Sequence, residues 1–397
     1  MEQAGKLDGQ ARLLLLMNTL YLSSIGLSNT FVNVYLWKVK NDYAMIGLYN
    51  MFAFLAIPFA FWVGGHLIKR WDRVLSIRLG VLIMALFYLT VLSLGKLAAL
   101  YVIPLGLLLG TGAGFYWLGY YVMYFEITGP DNRDAFNGAS GLMISFAAGG
   151  APFLAGWLVT QQTQGYRLIF SLSLLIFVLA VAVSFFIRGR KSEGKLNLSR
   201  VWTDTRAETK WHYVIVSYFF WGVREGVVIF LVGLLVFVIS ASEFTVGMYA
   251  LFTSLLSLLS YYVVGRWIRP SRRERFLFIG AIMLAVSVLP LLIQFRFGTL
   301  LALGIGTALF YPFFSIPLVS TSFDVIGESM EKAQLRVEYI IIREFAFSLG
   351  RLLSTFAFVL LVGITTSSAS LVLYLFALNV LLLFCWLFMR RVFPAHA

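Results

Sequence analysis

Charged residues are scarce in this chain. Only 12% of its 397 residues carry a charge, against about 25% in a typical soluble domain. In contrast, 60% are hydrophobic and the mean hydropathy is +0.87. This balance excludes an ordinary soluble domain, and it excludes disorder too, because a disordered chain needs low hydrophobicity. The composition predicts a polytopic membrane protein.

Residues that build metal and nucleotide sites are equally few. The single Cys385 cannot form an internal disulfide, and His66, His212 and His396 lie far apart in the sequence. The chain has no phosphate-binding glycine loop and no dinucleotide fingerprint. We therefore expect no metal, no cofactor, no use of ATP and no enzymatic activity.

Long apolar runs, by contrast, fill the sequence. A helix that crosses ~30 Å of hydrocarbon needs about 20 apolar residues. Runs with internal glycine and alanine favour helices that pack closely in lipid over the alternating strands of a β-barrel. The expected spans, numbered one to twelve in chain order, are Leu13–Trp37, Ala44–His66, Ile77–Leu94, Ala98–Phe125, Asn137–Thr160, Tyr166–Ile187, His212–Ile239, Phe244–Val264, Phe276–Ile293, Gly298–Ser322, Val337–Ile364 and Ser367–Met389. The predicted fold class is all-α, with twelve transmembrane helices.

Acidic residues are outnumbered by basic ones, 18 to 31, for a net charge of +13. With the N-terminus placed in the cytoplasm, about 23 basic residues fall on the inside of the membrane and about five on the outside. This bias predicts a multi-pass plasma-membrane protein with both termini in the cytoplasm. It also accounts for the net charge without a nucleic-acid partner.

The longest polar stretch divides the chain into two similar halves. We expect six-helix bundles over residues 1–187 and 212–397, joined by a cytoplasmic linker over 188–211. Two short patterns recur in both halves. At one fixed offset, Val63, Gly65, Ile68, Lys69 and Arg73 match Val263, Gly265, Ile268, Arg269 and Arg273, and Gly110-x-Gly112 also has a counterpart in Gly304-x-Gly306. Two six-helix repeats are typical of secondary transporters.

The loop after span two resembles a motif of the major facilitator superfamily, which the sequence resembles over essentially its whole length. The family pattern is Gly-x-Leu-x-Asp-Arg-x-Gly-Arg. Here Gly65, Leu67, Arg70 and Arg73 agree with it, while Lys69 replaces the acid and Asp72 the second glycine. The resemblance implies that this loop latches the halves together at the cytoplasmic face, with Asp72 as a candidate for the missing acid.

Span five resembles the antiporter motif of the same family in a weakened form. Gly138, Pro152 and Gly156 keep the spacing, although alanine replaces several glycines. The resemblance implies a drug/proton antiporter-like exporter. The arginine that proton antiporters carry in span four is absent, because Leu108 occupies that place.

Ionised residues inside two spans are the strongest candidates for function. They are Arg224 and Glu225 in span seven, and Glu338, Arg343, Glu344 and Arg351 in span eleven. A charge in hydrocarbon costs at least ~2.5–3.5 kcal/mol, so such residues face a partner or water. If the fold is the one that the resemblance implies, these two spans are neighbours in the C-terminal half, and the natural pairings are Glu225 with Arg351 and Arg224 with Glu344. Three interpretations stay open: a structural charge network, a proton carrier at Glu225 or Glu344, and an arginine that anchors an anionic substrate group.

Aromatic and amide side chains are candidates for a substrate cavity. By analogy with the family, the cavity residues are Asn29, Asn33, Tyr116, Trp117, Tyr120, Tyr121, Tyr124, Trp221, Phe310, Tyr311 and Phe314. Packing is the alternative role for the aromatic residues and interhelical hydrogen bonding for the asparagines. An aromatic wall favours an amphipathic or aromatic substrate. Glu126, at the end of span four, belongs either to a gate salt bridge or to a solvated loop.

These features together predict a secondary transporter that works by alternating access. We expect a monomer that couples protons to the export of small amphipathic organic molecules across the lipid bilayer. A lipid or lysolipid flippase is the second possibility among transporters. A non-transporting membrane scaffold or sensor with the same fold is the alternative from another class.

Overall fold

The structure consists of helices. The computed structural model describes residues 9–127, 136, 140, 143–144, 146–189, 195–207 and 210–393. Every regular element within these ranges is helical and none is a strand, which confirms the predicted all-α class.

The observed helices extend beyond most of the predicted spans, because their polar ends continue past the apolar core. In chain order, spans one to four are Gly9–Lys40, Tyr43–Arg70, Arg73–Leu94 and Val102–Ile127; the described part of span five is Phe146–Gly150 with Ala151–Gln161; spans six to eight are Gly165–Ser184, Lys210–Ser240 and Glu243–Trp267; span nine is Arg273–Val286 with Leu289–Ile293; spans ten and eleven are Phe297–Ile326 and Arg336–Ile364; and span twelve is Ser368–Val380 with Leu382–Met389. Within the described residues, eleven helical segments are long and apolar enough to cross a membrane.

The two halves repeat the same turn between their first two spans. Asn41 and Ala241 are separated by the same offset as the matching loop residues Val63 and Val263, and both have positive φ values, 52° and 49°. The N–H of Asn41 donates to the carbonyl of Trp37 at 2.6 Å, and that of Ala241 to the carbonyl of Phe237 at 2.7 Å. The repeat predicted from the sequence is thus present in the backbone.

Glycines at the same offset repeat the packing of the third helix of each half on the fourth. A side chain at Gly80 would collide with the backbone of Tyr116, and one at Gly280 with the backbone of Phe314. Small residues allow this close approach of helix backbones in lipid.

By their internal contacts the residues form two units that exchange a short segment. Unit 1 comprises residues 1–41, 52–196 and 242–251, and unit 2 comprises 42–51, 197–241 and 252–397. Within unit 1, Gly247 lies against Pro152 and Phe153. Within unit 2, Gly47 lies against Phe358 and Val359. The starts of spans two and eight are therefore packed through glycines at equivalent positions of the repeat.

Candidate functional site

Spans seven and eleven approach each other closely in unit 2, as the sequence predicted. Gly222 lies against the carbonyl of Phe347, and Gly350 against the carbonyl of Phe219. The hydroxyl of Thr355 donates to the carbonyl of Gly226 at 2.9 Å. Glycine is required at these places because a side chain would meet backbone atoms of the facing helix. This contact brings the charged residues of the two spans into one region.

Arg224 and Glu225 form an ion pair near the middle of span seven. Nη1 of Arg224 lies 2.5 Å from Oε1 of Glu225, and the two side chains are 3% and 12% exposed. Nε of Arg224 donates to Oδ1 of Asn379 in span twelve at 3.2 Å. The guanidinium also lies over the ring of Tyr311, 5.4 Å from its centroid.

One nitrogen of this guanidinium is left over. Nη2 of Arg224 is buried and has no hydrogen-bond partner among the described residues. A buried donor without a partner is unfavourable by about 1–3 kcal/mol, and by more when the group is charged. Such a group is uncommon in a folded protein, and an ordered water, an ion or a ligand would satisfy it.

Glu344 and Arg351 form the second pair, two turns apart on one face of span eleven. Their side chains are 3.4 Å apart at the closest atoms, and the hydroxyl of Ser348 donates to Oε1 of Glu344 at 3.0 Å. The guanidinium of Arg351 stacks on Phe347, 3.8 Å from the ring centroid. We call Arg224, Glu225, Glu344 and Arg351 the charge cluster.

The pairings predicted across the two helices are wrong. Glu225 pairs with Arg224 instead of Arg351, and Glu344 pairs with Arg351 instead of Arg224. The long side chains of adjacent residues bend toward each other, so the ~100° between their Cβ directions does not keep them apart. Each span therefore neutralises its own charges locally.

Trp221 links the two pairs. Its ring lies 4.8 Å from that of Phe347, on which Arg351 stacks, and it is one helical turn from Arg224 and Glu225. It also makes an edge contact with Phe314, which is fully buried. Of the predicted span-ten cavity residues, Tyr311 contacts the charge cluster, Phe314 belongs to the core, and Phe310 packs on Phe313 at 5.8 Å.

Arg343 contacts other groups of unit 2. Its Nη1 donates to Oγ of Ser322 at 2.9 Å, and its guanidinium lies between the rings of Tyr218 and Phe323, 5.0 and 4.7 Å from their centroids. These contacts join spans seven, ten and eleven; Arg343 is the residue next to Glu344 and lies about two turns from Arg351 along the helix.

Glu338 is fully buried against the linker. Its Oε1 accepts from the backbone N–H of Asn197 at 3.3 Å. Asn197 in turn caps a helix, Leu198–Arg206, within the predicted cytoplasmic linker, where no helix was expected. An asparagine followed by apolar Leu198 and Val201 at helical spacing was the available signal, which a polar composition obscured.

The linker helix is held to unit 2 by polar contacts. The hydroxyl of Tyr339 donates to Asp204, and Arg200 pairs with Glu331. Lys210, at the start of span seven, lies 2.6 Å from Glu328. The hydrogen bond from Lys210, with a second from Lys332, lowers the pKa of Glu328 below its ordinary value of 4.5.

Span four carries an uncharged aromatic cluster in unit 1, made of Tyr116, Trp117, Tyr120, Tyr121 and Tyr124 with Tyr21 of span one. The rings of Tyr21 and Tyr116 are stacked with centroids 3.6 Å apart. The hydroxyl of Tyr116 donates to Oδ1 of Asn18 at 3.1 Å. Tyr116 is fully buried, whereas Trp117, Tyr121 and Tyr124 are half-buried and leave part of their rings accessible.

The two predicted cavity asparagines lie on one turn of span one. Nδ2 of Asn33 donates to the carbonyl of Asn29 at 3.2 Å, and the side chain of Asn33 is buried. Tyr21, which stacks within the aromatic cluster, had no distinguishing mark in the sequence. Its apolar neighbours in a long hydrophobic run predict only a membrane helix.

The loop motif places its charges on span three and span four. Asp72 caps span three by accepting from the N–H of Val74 at 3.0 Å. Arg73 pairs with Glu126 at 2.6 Å, with side chains 8% and 11% exposed, so Glu126 forms a salt bridge and does not lie on a solvated loop face; a gating role for the pair stays a prediction. Gly65 is buried and Arg70 is exposed.

The same ion pair recurs in the second half. Arg273 is the repeat equivalent of Arg73 and is also the first residue of its helix, and it pairs with Asp324 near the end of span ten. Here the acid is 64% exposed. The repeat therefore places an arginine–carboxylate ion pair in both halves, buried in the first half and largely exposed in the second.

The span-five motif is partly described. Pro152 stands at the start of Ala151–Gln161, and Gly156 lies against the carbonyl of Glu243 within unit 1. Glu243 receives hydrogen bonds from Lys38 at 2.7 Å and Tyr166 at 2.9 Å. Gly138 lies outside the described residues.

Two repeats of membrane-crossing helices are typical of secondary transporters. The Major Facilitator Superfamily model matches residues 14–355, and the chain belongs to this family. The predicted twelve-helix fold and family are thereby confirmed, and the protein is a transporter, not an enzyme.

Known proteins agree with this assignment. YqgE of Bacillus subtilis (strain 168) is 38% identical over 369 residues, which cover 92% of this chain and 86% of that protein. A D-xylose-proton symporter has a TM-score of 0.72 at 13% identity, with 97% of both chains covered. A bacterial homologue of the iron transporter ferroportin has a TM-score of 0.68 at 15% identity, with 96% of this chain and 98% of that chain covered. At such identities the likeness establishes the fold alone.

Proposed function

We propose that this transporter couples proton movement to the export of small amphipathic organic molecules. The carrying observation is the Arg224–Glu225 pair, which is buried in the middle of a membrane-crossing helix and adjoins aromatic rings. Intramembrane acids often mark proton pathways, because an acid beside an arginine changes protonation when the pair separates. Glu225 is the proton carrier in this proposal.

The half-buried rings of Trp117, Tyr121 and Tyr124 support an amphipathic substrate. Aromatic faces bind apolar bodies, and their polar edges take single hydrogen bonds. In the proposed cycle, residues 1–187 and 212–397 rock about a central site, joined by 188–211. The protein acts as a monomer in the plasma membrane with both termini in the cytoplasm.

The proposal is tested with protein reconstituted in liposomes that contain a pH-sensitive dye. The probes share one aromatic body and differ in charge: indole-3-acetate, indole-3-acetamide and tryptamine. Protein-free liposomes correct for passive permeation. Proton movement that depends on any of the three probes supports the proposal, and its absence with all three contradicts it and favours a scaffold.

Glu225→Gln identifies the proton carrier. The variant should abolish probe-dependent proton movement but keep the exchange of labelled for unlabelled probe, because the amide cannot ionise while the fold is retained. Glu331→Gln, in an exposed pair on the linker face, is the matched control and should behave like the wild type. Unchanged proton-driven transport in Glu225→Gln would reject the assignment.

The sign of the proton movement reports the sense of coupling. Antiport, which the pattern of Pro152 and Gly156 in span five favours, moves protons against the direction of the probe. Co-transport moves them with it. The probe is added outside vesicles that contain the dye, so that it moves inward. A rise in internal pH then indicates antiport, and a fall indicates co-transport.

A further inference from the structure

We infer that Arg224 binds an anionic group of the substrate, so that the transported molecules are organic acids with an apolar or aromatic body. The inference rests on the proposed function for its site, and it adds the charge of the cargo.

The guanidinium of Arg224 is prepared for a second anion. Nη1 binds Glu225 and Nε binds Asn379, which fixes the plane of the group from two sides. Nη2 remains buried without a partner among the described residues. A guanidinium is permanently charged and presents its N–H groups in a rigid fork that suits carboxylates. The N–H groups of Nη2 are therefore available to donate charge-assisted hydrogen bonds to an anion.

The depth of Arg224 excludes, as the anion, the headgroup of a lipid that remains in its leaflet. Arg224 lies near the middle of span seven, Lys210–Ser240, which places it about 20 Å from either end of the helix. A headgroup lies at the membrane surface, whereas an anion that reaches this depth has to travel through the protein. A soluble organic acid meets this condition.

The surroundings of Arg224 suit the body of such an acid. The ring of Tyr311 lies beneath the guanidinium, and Trp221 stands one turn away on the same helix. Aromatic faces favour an apolar or aromatic group next to a carboxylate. A purely inorganic anion would use the guanidinium but none of these rings.

The charge balance adds a condition on the proton. The two arginines and two glutamates of the charge cluster sum to zero charge when all four are ionised. Arg343, the residue next to Glu344, is bound to Ser322, and Tyr261 and Tyr311 are the titratable groups of spans eight and ten close to Glu225. An added anion leaves an excess negative charge at low dielectric, which protonation of Glu225 removes. Binding of the anion and protonation of Glu225 therefore favour each other at this site.

Binding is measured separately from transport, by the thermal stability of purified protein in detergent with each probe. Indole-3-acetate should stabilise the protein, and its dissociation constant should be at least about tenfold lower than those of indole-3-acetamide and tryptamine. The affinity for the acetate should rise as the pH falls. Equal stabilisation by the neutral amide, or preference for the amine, would overturn the inference.

Variants assign the effect to Arg224. Arg224→Gln should lower the affinity for indole-3-acetate at least about tenfold. Arg224→Lys should lower it less, because the positive charge remains. Arg275→Gln, at an exposed arginine in the first turn of span nine, is the matched control and should leave binding unchanged.

Glu225→Gln keeps the inference testable if Arg224→Gln does not fold. Removal of the competing carboxylate should raise the affinity for indole-3-acetate by about three- to tenfold at pH 7.5. It should also make this affinity independent of pH. Weaker binding of the acetate in this variant would contradict the inference. Proton movement that is equal for the three probes would support the proposed function and reject the anion site. Selective binding of indole-3-acetate without proton movement would support the anion site and reject the proposed proton coupling.

Discussion

The two halves of this transporter share one backbone plan and fill it with different chemistry. The turns at Asn41 and Ala241 and the close contacts at Gly80 and Gly280 repeat at one common offset along the chain. Side chains at membrane depth do not repeat. Unit 1 buries stacked tyrosines with hydroxyls bonded to an amide, and unit 2 buries two ion pairs.

Under the proposed function, the difference assigns the proton-dependent step to unit 2. The hydrogen bond between Tyr116 and Asn18 in unit 1 joins two neutral groups and does not involve a charge that changes near neutral pH. Buried ion pairs are strongly affected by the loss or gain of one proton. The repeat therefore sets the positions of the helices, and the proposed coupling site lies where the side chains depart from the repeat.

The largest effect is expected where span eleven meets span seven. Gly350→Val would drive a side chain into the carbonyl of Phe219 and destabilise the fold by about 3 kcal/mol or more. Gly363→Val, in the same helix but with open space around it, is the matched control. Elution of the solubilised protein as a single folded species should be lost only for Gly350→Val; normal elution would show that the close contact is not required.

The charge cluster should respond more to one substitution than to two. Arg224→Leu or Glu225→Leu alone leaves a buried charge without its partner and should lower the free energy of unfolding by about 3 kcal/mol. The double variant should lose much less, because no charge remains. Denaturant titration of the four proteins in detergent measures this cycle. Additive losses would mean that the two side chains are stabilised independently.

The repeated ion pairs should differ with their exposure. Glu126→Gln leaves Arg73 buried with a weaker partner and should lower the free energy of unfolding by about 2 kcal/mol. Asp324→Asn, in the exposed pair with Arg273, should lower it by less than about 1 kcal/mol. The same denaturant titration compares them, and equal losses would contradict the role given to burial.

The repeated turns should differ because only one has a residue suited to positive φ. Ala241→Gly should raise the free energy of unfolding by about 0.5–1 kcal/mol, since alanine is strained in the left-handed region. Asn41→Gly should change it little, because asparagine tolerates this region. A shift in thermal midpoint for Ala241→Gly alone is the expected result; destabilisation by it would remove the assignment of strain.

The smallest effect concerns the linker face. Because hydrogen bonds from Lys210 and Lys332 lower the pKa of Glu328, its ionised form is stabilised in the fold. This contribution is complete above the ordinary pKa of 4.5 and is lost as the pH falls through the lower folded value. Exposure limits it to a few tenths of a kcal/mol. Glu328→Gln should flatten the stability profile below pH 5; an unchanged profile would contradict it.

Local chemistry made the architecture predictable. Apolar run length predicted the helices, since hydrocarbon thickness sets their minimum length, and matched glycines in Gly110-x-Gly112 and Gly304-x-Gly306 indicated the repeat. The charges inside spans seven and eleven were evident because each is costly in lipid. Their neighbourhood also followed from the family resemblance.

The linker helix and the place of Glu338 were not predictable in the same way. Leu198–Arg206 is short and polar, and its docking depends on Tyr339 and Glu338, which are distant from it in the sequence. A charged residue in span eleven gives no sign of whether it faces a neighbouring span or the linker.

Sequence alone determined that this chain is a twelve-helix membrane protein with buried charges, because hydropathy and the cost of ionised groups in lipid act residue by residue. Only the tertiary structure decided the partners: Arg224 with Glu225 and Asn379, Glu344 with Arg351, and Arg73 with Glu126. Pairing depends on the rotation of each helix about its axis and on the rotamers of long side chains. Both are set by contacts between segments that are distant in the chain.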